Sequence, residues 1–555
     1  MLTFEPAHHR LPDTVAELTM QMSLQRLMKS MPDKARPAIL AELRQLHEMN
    51  VLEPVLYDSL TLEEKKACIR AFLFLKDKFT ADGTFDKFKG RLVANKKTQG
   101  FSTTAQETMD PSSPTVDFLT ACLIINLICF RKMKTAIIDV KGAYLNALIN
   151  ELVFILLDPT TAAIFVEEYP IYKPMLRRDG SLCCRVRRAL YGLPQSGKLW
   201  YLHLKETLVE LGYTCQQEHD KCLFTCIKPD GSTGYILVYV DDLLLAADTD
   251  AELDRIIAAM RAKYKDISLQ RGCKYSWLGL TLEFAPDNSS VLMSQEGYIA
   301  DILKRYDVPE DKAARSPCSP QFLKRPTSGP GSEPADSTLF RSQLMAAAYL
   351  GIRTRPDIRF AVGHLASRSA NPTLHDMQCL QHLYHYINYT KHYKLRIKPT
   401  NLQLTAYIDA SFAIHGDGKG HTGIIIMMGD SGVLYVQSSK QKLLGHHSTE
   451  CELIAVNDGL FTLEQIRGLY QVLGLPEIIV NVRQDNSSAI QISANGHGNA
   501  KRSKYMTVRV EHIKSALEAK KIRMTQCPTE EMLSDMLTKP IYGKKLRYLI
   551  SPYLR

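Results

Sequence analysis

Two adjacent aspartates interrupt one of the most apolar stretches of the chain. The segment YILVYVDDLLLAA, residues 235–247, places Asp241 and Asp242 between two runs of Ile, Leu, Val and Tyr, and it contains no Lys or Arg. Such runs predict two β-strands that meet at the acids. Because burying an unpaired carboxylate is costly, the pattern requires positive charge supplied from elsewhere.

A third acid has the same setting, since Asp139 closes the apolar run AIIDV. If the two strands are neighbours, three carboxylates converge, and their mutual repulsion requires cations. Mg²⁺ is the usual ion where oxygen ligands and phosphate meet, and two such ions can clamp the attacking and leaving oxygens of a phosphoryl transfer. The alternative is that Asp139 is a turn or cap residue and that the acid pair lies at an ordinary hairpin turn.

Composition limits the class of protein. A chain of 555 residues with 45% hydrophobic and 23% charged residues is expected to form several globular domains. The net charge of +10 suits a polyanionic partner. The 13 cysteines follow no regular spacing, which predicts reduced and mostly buried thiols. The longest apolar stretch, FLTACLIINLICF, is too short to span a membrane, and the first residues carry no signal-peptide pattern.

Periodicity predicts the order of the elements. Amphipathic helix is expected over residues 1 to about 50, followed by a hairpin with its turn at Asp82-Gly83. TVDFLTACLIINLICF, SGKLWYLHLKETLVELGY and DAELDRIIAAMRAKY have helical spacing, and KTAIIDV reads as a strand. Residues 316–337 are dense in Pro, Gly and Ser and predict a linker before a helical block. From LQLTAYIDAS onward the pattern is strand, strand, helix, strand, helix.

Several motifs occur in a fixed order along most of the chain. They are FTADGTFDKFKGRLVANKKTQG, DVKGAYLNALINELVFILLDP, RRALYGLPQSGKLWYLHLKETLVELGY, YVDDLLLAA, WLGLTLEF, LMSQEGYIADILKRY and TRPDIRFAVGHLASRSANPTLHD. This series resembles the reverse transcriptase of copia-type LTR retrotransposon (Pseudoviridae-like) Pol polyproteins. A later series, LTAYIDASFA, SSKQKLLGHHSTECELIAV, VNVRQDNSSAIQI and PTEEMLSDMLTKP, resembles the RNase H domain that follows it in the same polyproteins.

The resemblance implies an α+β multidomain fold. It consists of a right-hand polymerase with fingers, palm and thumb, followed by a helical connection and an RNase H-like α/β domain. The expected boundaries are an N-terminal helical extension at 1–40, fingers and palm at 41–250, palm end, primer grip and thumb at 251–315, the linker at 316–337, the connection at 338–400, the RNase H-like domain at 401–545 and a tail at 546–555.

The resemblance also implies roles at the polymerase site. Asp139, Asp241 and Asp242 are the expected catalytic metal ligands. Tyr144 is expected beneath the sugar of the incoming nucleotide, where its ring would clash with a 2′-OH, and Gln195 is expected to line the nucleotide pocket. The alternative for Tyr144 is an ordinary core aromatic.

Two further motifs have implied contacts with the nucleic-acid substrates. Lys89 and Arg91 are expected to meet the triphosphate; alternatively they form a solvated basic face of a strand. Trp277, Leu278 and Gly279 resemble the segment that grips the primer end, for which the alternative is a packed hairpin.

Four acids are implied as catalytic metal ligands of the RNase H-like domain, namely Asp409, Glu452, Asp485 and Asp535. Each closes or follows a predicted strand or helix, so cations are needed if the four meet. Glu450 competes with Glu452, but two residues apart on a helix they point to different faces.

Local alternatives exist for two of these acids. Thr449 and Glu452 have the spacing of a capping box. Asp485 precedes Asn486 and two serines and could cap a helix instead. The chain also departs from the family, because Tyr505 stands where a His is usual, which predicts slow product release by the nuclease. His446 and His447 are expected in a solvated loop.

The function implied by the resemblance is RNA-directed DNA synthesis from a primer 3′-OH by two-metal nucleotidyl transfer, with RNase H cleavage of the RNA strand of RNA/DNA hybrids. The expected cofactors are two Mg²⁺ ions per site, with Mn²⁺ as a substitute. The expected partners are RNA template, primer, dNTPs, RNA/DNA hybrid, a Gag-like particle and an integrase, with no membrane. The expected location is the cytoplasm, within a virus-like particle, with a nuclear phase.

Two other readings remain open. A decayed or domesticated copy would bind nucleic acid without catalysis, although the presence of all seven acids argues against decay. A polyprotein fragment would be inactive until joined to other parts, since the chain contains no zinc knuckle, no protease-like Asp-Thr-Gly and no integrase-like segment.

Overall fold

A computed structural model describes residue 28 and residues 32–79, 85–95, 113–496 and 504–555. The chain divides into two compact units. The first unit combines residues 1–115, 140–212 and 260–267, and the second combines residues 116–139, 213–259 and 268–555. Both units mix helices and strands, which confirms the predicted α+β multidomain class.

The described residues form the following helices, in chain order: α1 (Pro32–Glu48), α2 (Leu62–Ala67), α3 (Phe118–Arg131), α4 (Pro159–Glu168), α5 (Ser196–Glu210), α6 (Asp250–Tyr264), α7 (Glu296–Arg305), α8 (Ser337–Arg353), α9 (Arg359–Ala366), α10 (Leu374–Tyr389), α11 (Ser448–Val472), α12 (Ser487–Asn495), α13 (Lys504–Glu518) and α14 (Gly543–Ile550).

The strands are β1 (Leu52–Pro54), β2 (Ile69–Phe79), β3 (Phe85–Ala94), β4 (Lys134–Val140), β5 (Leu148–Leu157), β6 (Leu182–Arg188), β7 (Thr214–Cys215), β8 (Leu223–Ile227), β9 (Thr233–Tyr239), β10 (Asp242–Ala247), β11 (Ile267–Gln270), β12 (Lys274–Trp277), β13 (Leu280–Phe284), β14 (Val291–Ser294), β15 (Leu395–Ile397), β16 (Leu404–Ser411), β17 (His421–Met428), β18 (Gly432–Lys440), β19 (Val480–Gln484) and β20 (Ile522–Gln526).

The first unit is built on a five-stranded sheet in the order β1-β6-β5-β2-β3. The antiparallel pair β2–β3 is the predicted hairpin, although its expected turn at Asp82-Gly83 lies outside the described residues. Helix α1 covers the sheet, and the Glu42 carboxylate accepts a hydrogen bond from the backbone N–H of Leu92 at 3.1 Å. The remainder of the predicted N-terminal helix, residues 1–27 and 29–31, also lies outside the described part.

A six-stranded sheet in the order β11-β4-β10-β9-β8-β7 carries the first acid motifs. Strands β9 and β10 form an antiparallel hairpin, and β10 also pairs with β4. The continuous apolar sequence of β10 explains its position inside the sheet, because both faces of this strand are buried apart from its first residue. The predicted helices α3, α5 and α6 are confirmed, with ends that differ by at most three residues.

Residues 316–337, expected as a linker, contain no regular helix or strand before α8 begins at Ser337. Phe322 and Cys318 are nevertheless fully buried and pack among the helices α7 to α10. The segment is therefore anchored to the helical block by two apolar side chains.

The C-terminal sheet has the order β18-β17-β16-β19-β20. Strands β16 to β18 are antiparallel, whereas β16, β19 and β20 run parallel. Helix α11 packs on this sheet. The sequence pattern predicted two strands before the first helix, and the structure has three; β18 was missed because its second half, QSSK, is polar.

The described residues include no helix with the length and apolar character needed to cross a membrane. All 13 cysteines are free thiols, and most are buried, as the sequence predicted.

Candidate polymerase and nuclease sites

The register of two strands brings the first acids together. Asp242 of β10 lies directly opposite Asp139 of β4, and Asp241 occupies the hairpin turn next to it. Residues directly opposite on antiparallel strands project to the same face with Cβ atoms about 4.5–5.5 Å apart. Asp139 and Asp242 therefore share one face of this sheet in the second unit, with Asp241 beside them in the turn. Among the described residues, these three acids do not form a group whose carboxylate oxygens all lie within 4.8 Å of one another.

The turn that presents Asp241 has an unusual backbone. The hairpin loop is two residues long, and Val240 has a φ of 58°. A β-branched residue in this left-handed region is a genuine outlier, and such strain is found mainly at functional sites. The tight turn fixes the direction of Asp241 relative to the strands.

Electrostatic repulsion among these acids is visible at Asp242. Burial, and then the charges of Asp241 and Asp139, raise the pKa of Asp242 to about 7. The Ser268 hydroxyl donates to Asp139 Oδ2 at 3.3 Å. Hard oxygen donors whose charges repel one another fit a divalent cation, which would relieve the repulsion.

The predicted nucleotide-binding residues form a second cluster, which lies in the first unit. The guanidinium of Arg91 lies 4.6 Å from the ring centroid of Tyr191, and the Tyr144 and Tyr191 rings are 5.2 Å apart. Tyr144 is half-buried and packs against the hydrophobic core of the first unit, so its role beneath a nucleotide sugar stays a prediction. Tyr191 was not singled out from the sequence, although it lies within the quoted motif LYGLPQSG.

Two other predicted residues of the same unit lie at polar positions. Gln195 precedes helix α5 and donates from Nε2 to the Glu151 carboxylate at 3.1 Å. Lys89 is exposed and lies opposite Lys76 in the β2–β3 register. Lys76 and Lys89 therefore place two basic side chains on one strand pair.

The segment expected to grip the primer forms the turn between β12 and β13. Trp277 is buried, Leu278 and Gly279 have φ values of 54° and 71°, and the Tyr349 hydroxyl donates to the Leu278 carbonyl at 3.4 Å. These features describe a packed hairpin, and its role at a primer end stays a prediction.

The C-terminal domain brings three distant acids together. Carboxylate oxygens of Asp409, Glu452 and Asp485 lie within 4.8 Å of one another. Asp409 is near the end of the central strand β16, and Asp485 follows the parallel neighbour β19, whose register places the two at the same level. Helix α11 supplies Glu452 from its first turns.

Burial makes this cluster more strongly perturbed than the first. Burial is the main cause that raises the pKa of Asp409 to about 6 and that raises the pKa of Glu452 well above its usual range. The fully buried Gln484 donates from Nε2 to Glu452 at 3.2 Å. The Thr538 hydroxyl donates to Asp409. Three carboxylates held this closely in a buried setting fit one or more divalent ions.

Asp535, the fourth predicted ligand, has different partners. Its carboxylate is fully buried and pairs with Lys539 at 2.6 Å and with Lys545 at 2.5 Å. It is not part of the three-acid cluster found among the described residues. Asp535 is nevertheless close enough for its charge to raise the pKa of Asp409. Its role as a metal ligand stays a prediction.

Neither Glu452 nor Asp485 caps a helix in the structure. Helix α11 begins at Ser448 after His447, so Thr449 and Glu452 do not form a capping box. Asn486, rather than Asp485, caps helix α12 by accepting from the Ala489 N–H.

The residues next to these acids also have defined roles. Glu450 accepts from the backbone N–H of His446 at 2.8 Å and does not enter the cluster. His446 and His447 make no metal-ligand group among the residues described. The side chain of Tyr505 lies outside the described residues, so the consequence drawn from it stays a prediction.

Part of the chain matches a described protein family. Residues 57–320 match the family model described as "Reverse transcriptase (RNA-dependent DNA polymerase)". The chain is 27% identical over 476 residues to the "Retrovirus-related Pol polyprotein from transposon RE1" of Arabidopsis thaliana, an alignment that covers 85% of this chain and 30% of that protein. It is 23% identical over 544 residues to the Pol polyprotein from transposon TNT 1-94 of Nicotiana tabacum, covering 97% of this chain and 38% of the relative.

The chain therefore spans about a third of the length of these curated relatives. Among solved structures, a foamy viral protease-reverse transcriptase in complex with RNA/DNA hybrid aligns with a TM-score of 0.47 and 13% identity, over 92% of this chain and 55% of that chain.

Proposed function

We propose that this chain, which is part of a copia-type Pol polyprotein and carries a reverse transcriptase domain over residues 57–320, extends a primer along an RNA template by two-metal nucleotidyl transfer. We also propose that its C-terminal domain cleaves the RNA strand of the resulting RNA/DNA hybrid. The observation that carries the proposal is the pairing of Asp242 with Asp139 across β10 and β4, beside Asp241.

The acids are proposed to hold divalent ions, for which Mg²⁺ is the first candidate and Mn²⁺ the substitute. When bound, two such ions would make the primer 3′-OH more acidic and neutralise the charge of the leaving pyrophosphate. Asp139, Asp241 and Asp242 would be the ligands at the first site. The raised pKa of Asp242 supports this assignment, because its carboxylate is held at a cost that cations would remove.

The aromatic and basic cluster of the first unit is proposed to bind the incoming dNTP. Tyr144 would lie against the sugar and disfavour a 2′-OH, while Arg91 and Lys89 would contact the triphosphate. The Arg91–Tyr191–Tyr144 contacts support this proposal, because they order both the cation and the ring before a nucleotide arrives.

Asp409, Glu452 and Asp485 are proposed as the core ligands of the nuclease site, with Asp535 as the fourth. Their close approach supports this assignment. Gln484 would hold Glu452 in position through its hydrogen bond, and Thr538 would do the same for Asp409. The main binding contacts to the hybrid are proposed to be phosphate contacts and recognition of helix shape, which would make binding salt-dependent.

The remaining partners and the location follow from the polyprotein relationship alone. We propose that the chain acts with a Gag-like particle and an integrase, in cytoplasmic virus-like particles with a nuclear phase. The names of the relatives support only their common origin as Pol polyproteins.

The two activities can be tested separately with matched variants. Asp241→Asn should reduce RNA-templated primer extension at least about 100-fold, because transition-state charge stabilisation is lost, and should leave hybrid cleavage intact. Glu452→Gln should do the reverse. Asp254→Asn, an exposed acid on helix α6, and Glu450→Gln are the matched controls and should retain both activities. Template binding by the wild-type chain without extension would instead favour the non-catalytic reading.

A further inference from the structure

A cleft in the second unit combines two arginines with apolar walls. It lies where helix α3, the connection helices α8 and α9 and strand β18 meet, and its volume is about 260 Å³. Phe118 and Cys122 of α3, Tyr435 of β18, Arg353 and Arg359 line it. The cleft contains none of the acids assigned above to the polymerase and nuclease sites.

Arg359 holds a positive charge in this cleft without an acidic partner. Among the described residues, no carboxylate forms an ion pair with it. Its Nη2 donates to the Val436 carbonyl at 3.3 Å, and its buried Nε has no acceptor. Burial lowers the pKa of Arg359. The folded chain therefore carries the desolvation cost of this cation, which an anion in the cleft would offset.

Arg353 lines the same cleft. Its guanidinium stacks over the Phe118 ring at 4.5 Å from the centroid and lies 5.8 Å from that of Tyr349. Stacking uses the flat face of the group and leaves its N–H donors available. Within the described part of the chain no acid pairs with Arg353 either. Asp117 also lines the cleft, but its carboxylate caps helix α3 by accepting from the Leu119 N–H at 2.9 Å.

We propose that this cleft binds a small organic anion whose phosphate or carboxylate group is held by Arg353 and Arg359 and whose apolar ring packs against α3 and β18. Guanidinium groups bind both kinds of anion in a bidentate manner, and the bonds are strongest where water is excluded. The volume is below the range of about 300–1,000 Å³ that is usual for drug-sized ligands, so one charged group and one ring would fill it.

Calorimetric titration of the full chain with phenyl phosphate and with benzoate tests the proposal. Inorganic phosphate supplies the charged group alone, and phenol supplies the ring alone. We expect binding of at least one of the two aromatic anions, and at least tenfold weaker binding of inorganic phosphate and of phenol. The tighter of the two aromatic anions identifies the charged group that the cleft prefers.

Arg359→Met removes the charge but keeps a flexible apolar side chain. The substitution should weaken binding of the aromatic anion at least tenfold. The matched control is Arg341→Met, an exposed arginine of α8 that does not line the cleft, and it should leave the affinity unchanged. Equal affinity in Arg359→Met and wild type, or no binding of either aromatic anion at millimolar concentration, would overturn the proposal.

Thermal unfolding separates a binding role of Arg359 from a structural one. Without ligand, Arg359→Met should melt at the wild-type temperature or above it, because an unbalanced buried charge is gone. Phenyl phosphate or benzoate should raise the melting temperature of the wild type and not that of the variant. A clearly lower melting temperature for Arg359→Met than for Arg341→Met would show that the charge is structural, and would contradict the inference.

Discussion

Lys539 places a positive charge beside the acids of the second site. Its ammonium pairs with Asp535 at 2.6 Å. Although burial opposes its charge, the carboxylates of Asp409 and Asp535 raise the pKa of Lys539. Lys539 therefore acts as a built-in cation beside the three-acid cluster, and a divalent ion must compete with it.

Lys539→Met should therefore tighten divalent-ion binding at the second site, by up to about tenfold or ~1.4 kcal/mol. Titration with Mn²⁺ in an Asp241→Asn background, where the first site is weakened, measures this affinity. Lys521→Met is the matched control, because Lys521 pairs with Glu464, which belongs to neither acid cluster. Unchanged or weaker binding in Lys539→Met would show that the lysine does not compete with metal.

Tyr191 is a positioning residue for the proposed nucleotide site, because its ring contacts both Arg91 and Tyr144. Tyr191→Ala should raise KM for dNTP several-fold with a smaller effect on kcat, since binding contacts become disordered. Tyr191→Phe keeps the ring and should stay near wild type. A loss of kcat in both variants at unchanged KM, measured in steady-state primer extension, would argue against this role.

Single-residue roles were only partly accessible from the sequence. The acids stood out because each one interrupts or ends an apolar run. Tyr191, Gln484 and Thr538 did not, because their importance comes from contacts with residues far away in the chain. Asp535 was recognised by its motif, but its two lysine partners become apparent only when the chain is folded.

At the scale of elements, the helical connection is held by a fully buried ion pair. The guanidinium of Arg355 donates to Asp357 at 2.7 Å and to the Thr390 carbonyl at 3.1 Å, and the Tyr386 hydroxyl also donates to Asp357. Both charged side chains are inaccessible to solvent. The network ties the segment between α8 and α9 to helix α10.

Arg355→Ala should lower the free energy of unfolding by about 3–5 kcal/mol, because it leaves the Asp357 charge buried without its partner. Urea denaturation followed by circular dichroism measures the change. Arg305→Ala, in an exposed pair with Asp301 on helix α7, is the control and should cost less than about 0.5 kcal/mol. Similar losses in the two variants would contradict the role assigned to the buried pair.

The bounds of helices and strands were predictable where the apolar residues follow one clear pattern. β4 and α6 have the predicted bounds, because the apolar residues of β4 form one short buried run and those of α6 recur at a period near 3.6. Strand β18 was missed because polar residues form its second half. Its pairing with β17 in the folded chain overrides the weak strand preference of these residues. The left-handed backbone of Val240 was also unpredictable, since β-branched residues rarely adopt it.

At the scale of the whole molecule, three buried histidines make stability depend on pH. His364, His415 and His421 stack in a row with ring centroids 4.6 and 5.2 Å apart. Burial is the main cause that lowers their pKa values, to about 2 for His364, about 4 for His415 and about 3 for His421. The charged groups facing them are Arg368, Lys440, Asp417 and Arg359, of which only Asp417 favours protonation.

Unfolding releases these histidines to their ordinary pKa of about 6.5, so the unfolded chain binds more protons between about pH 4 and 6.5. Stability gained from the neutral rings is complete above pH 6.5 and is lost as the pH falls. His415→Gln removes one titrating ring. As the pH falls from 6 to 5, the free energy of unfolding of this variant should therefore decrease by about 1 kcal/mol less than that of the wild type. Identical pH slopes in urea denaturation of the two proteins would show that His415 is not neutral in the folded state.

The fold class and the grouping of acids into two sites were predictable because ordered motifs and acid-ended strands define them along most of the chain. The cleft between α3 and β18 was not, because it is formed by α3, α8, α9 and β18, segments far apart in the chain, none of which shows a local signal.

Counting divalent ions tests the central claim most directly. Mn²⁺ titration of the wild-type chain bound to an RNA-templated primer should show ions at both acid sites, and Asp241→Asn should lose those of the first site while Glu452→Gln loses those of the second. If the wild-type chain bound no Mn²⁺ or Mg²⁺ even with the template and primer present, the two clusters would not be metal sites and the proposed chemistry would be wrong.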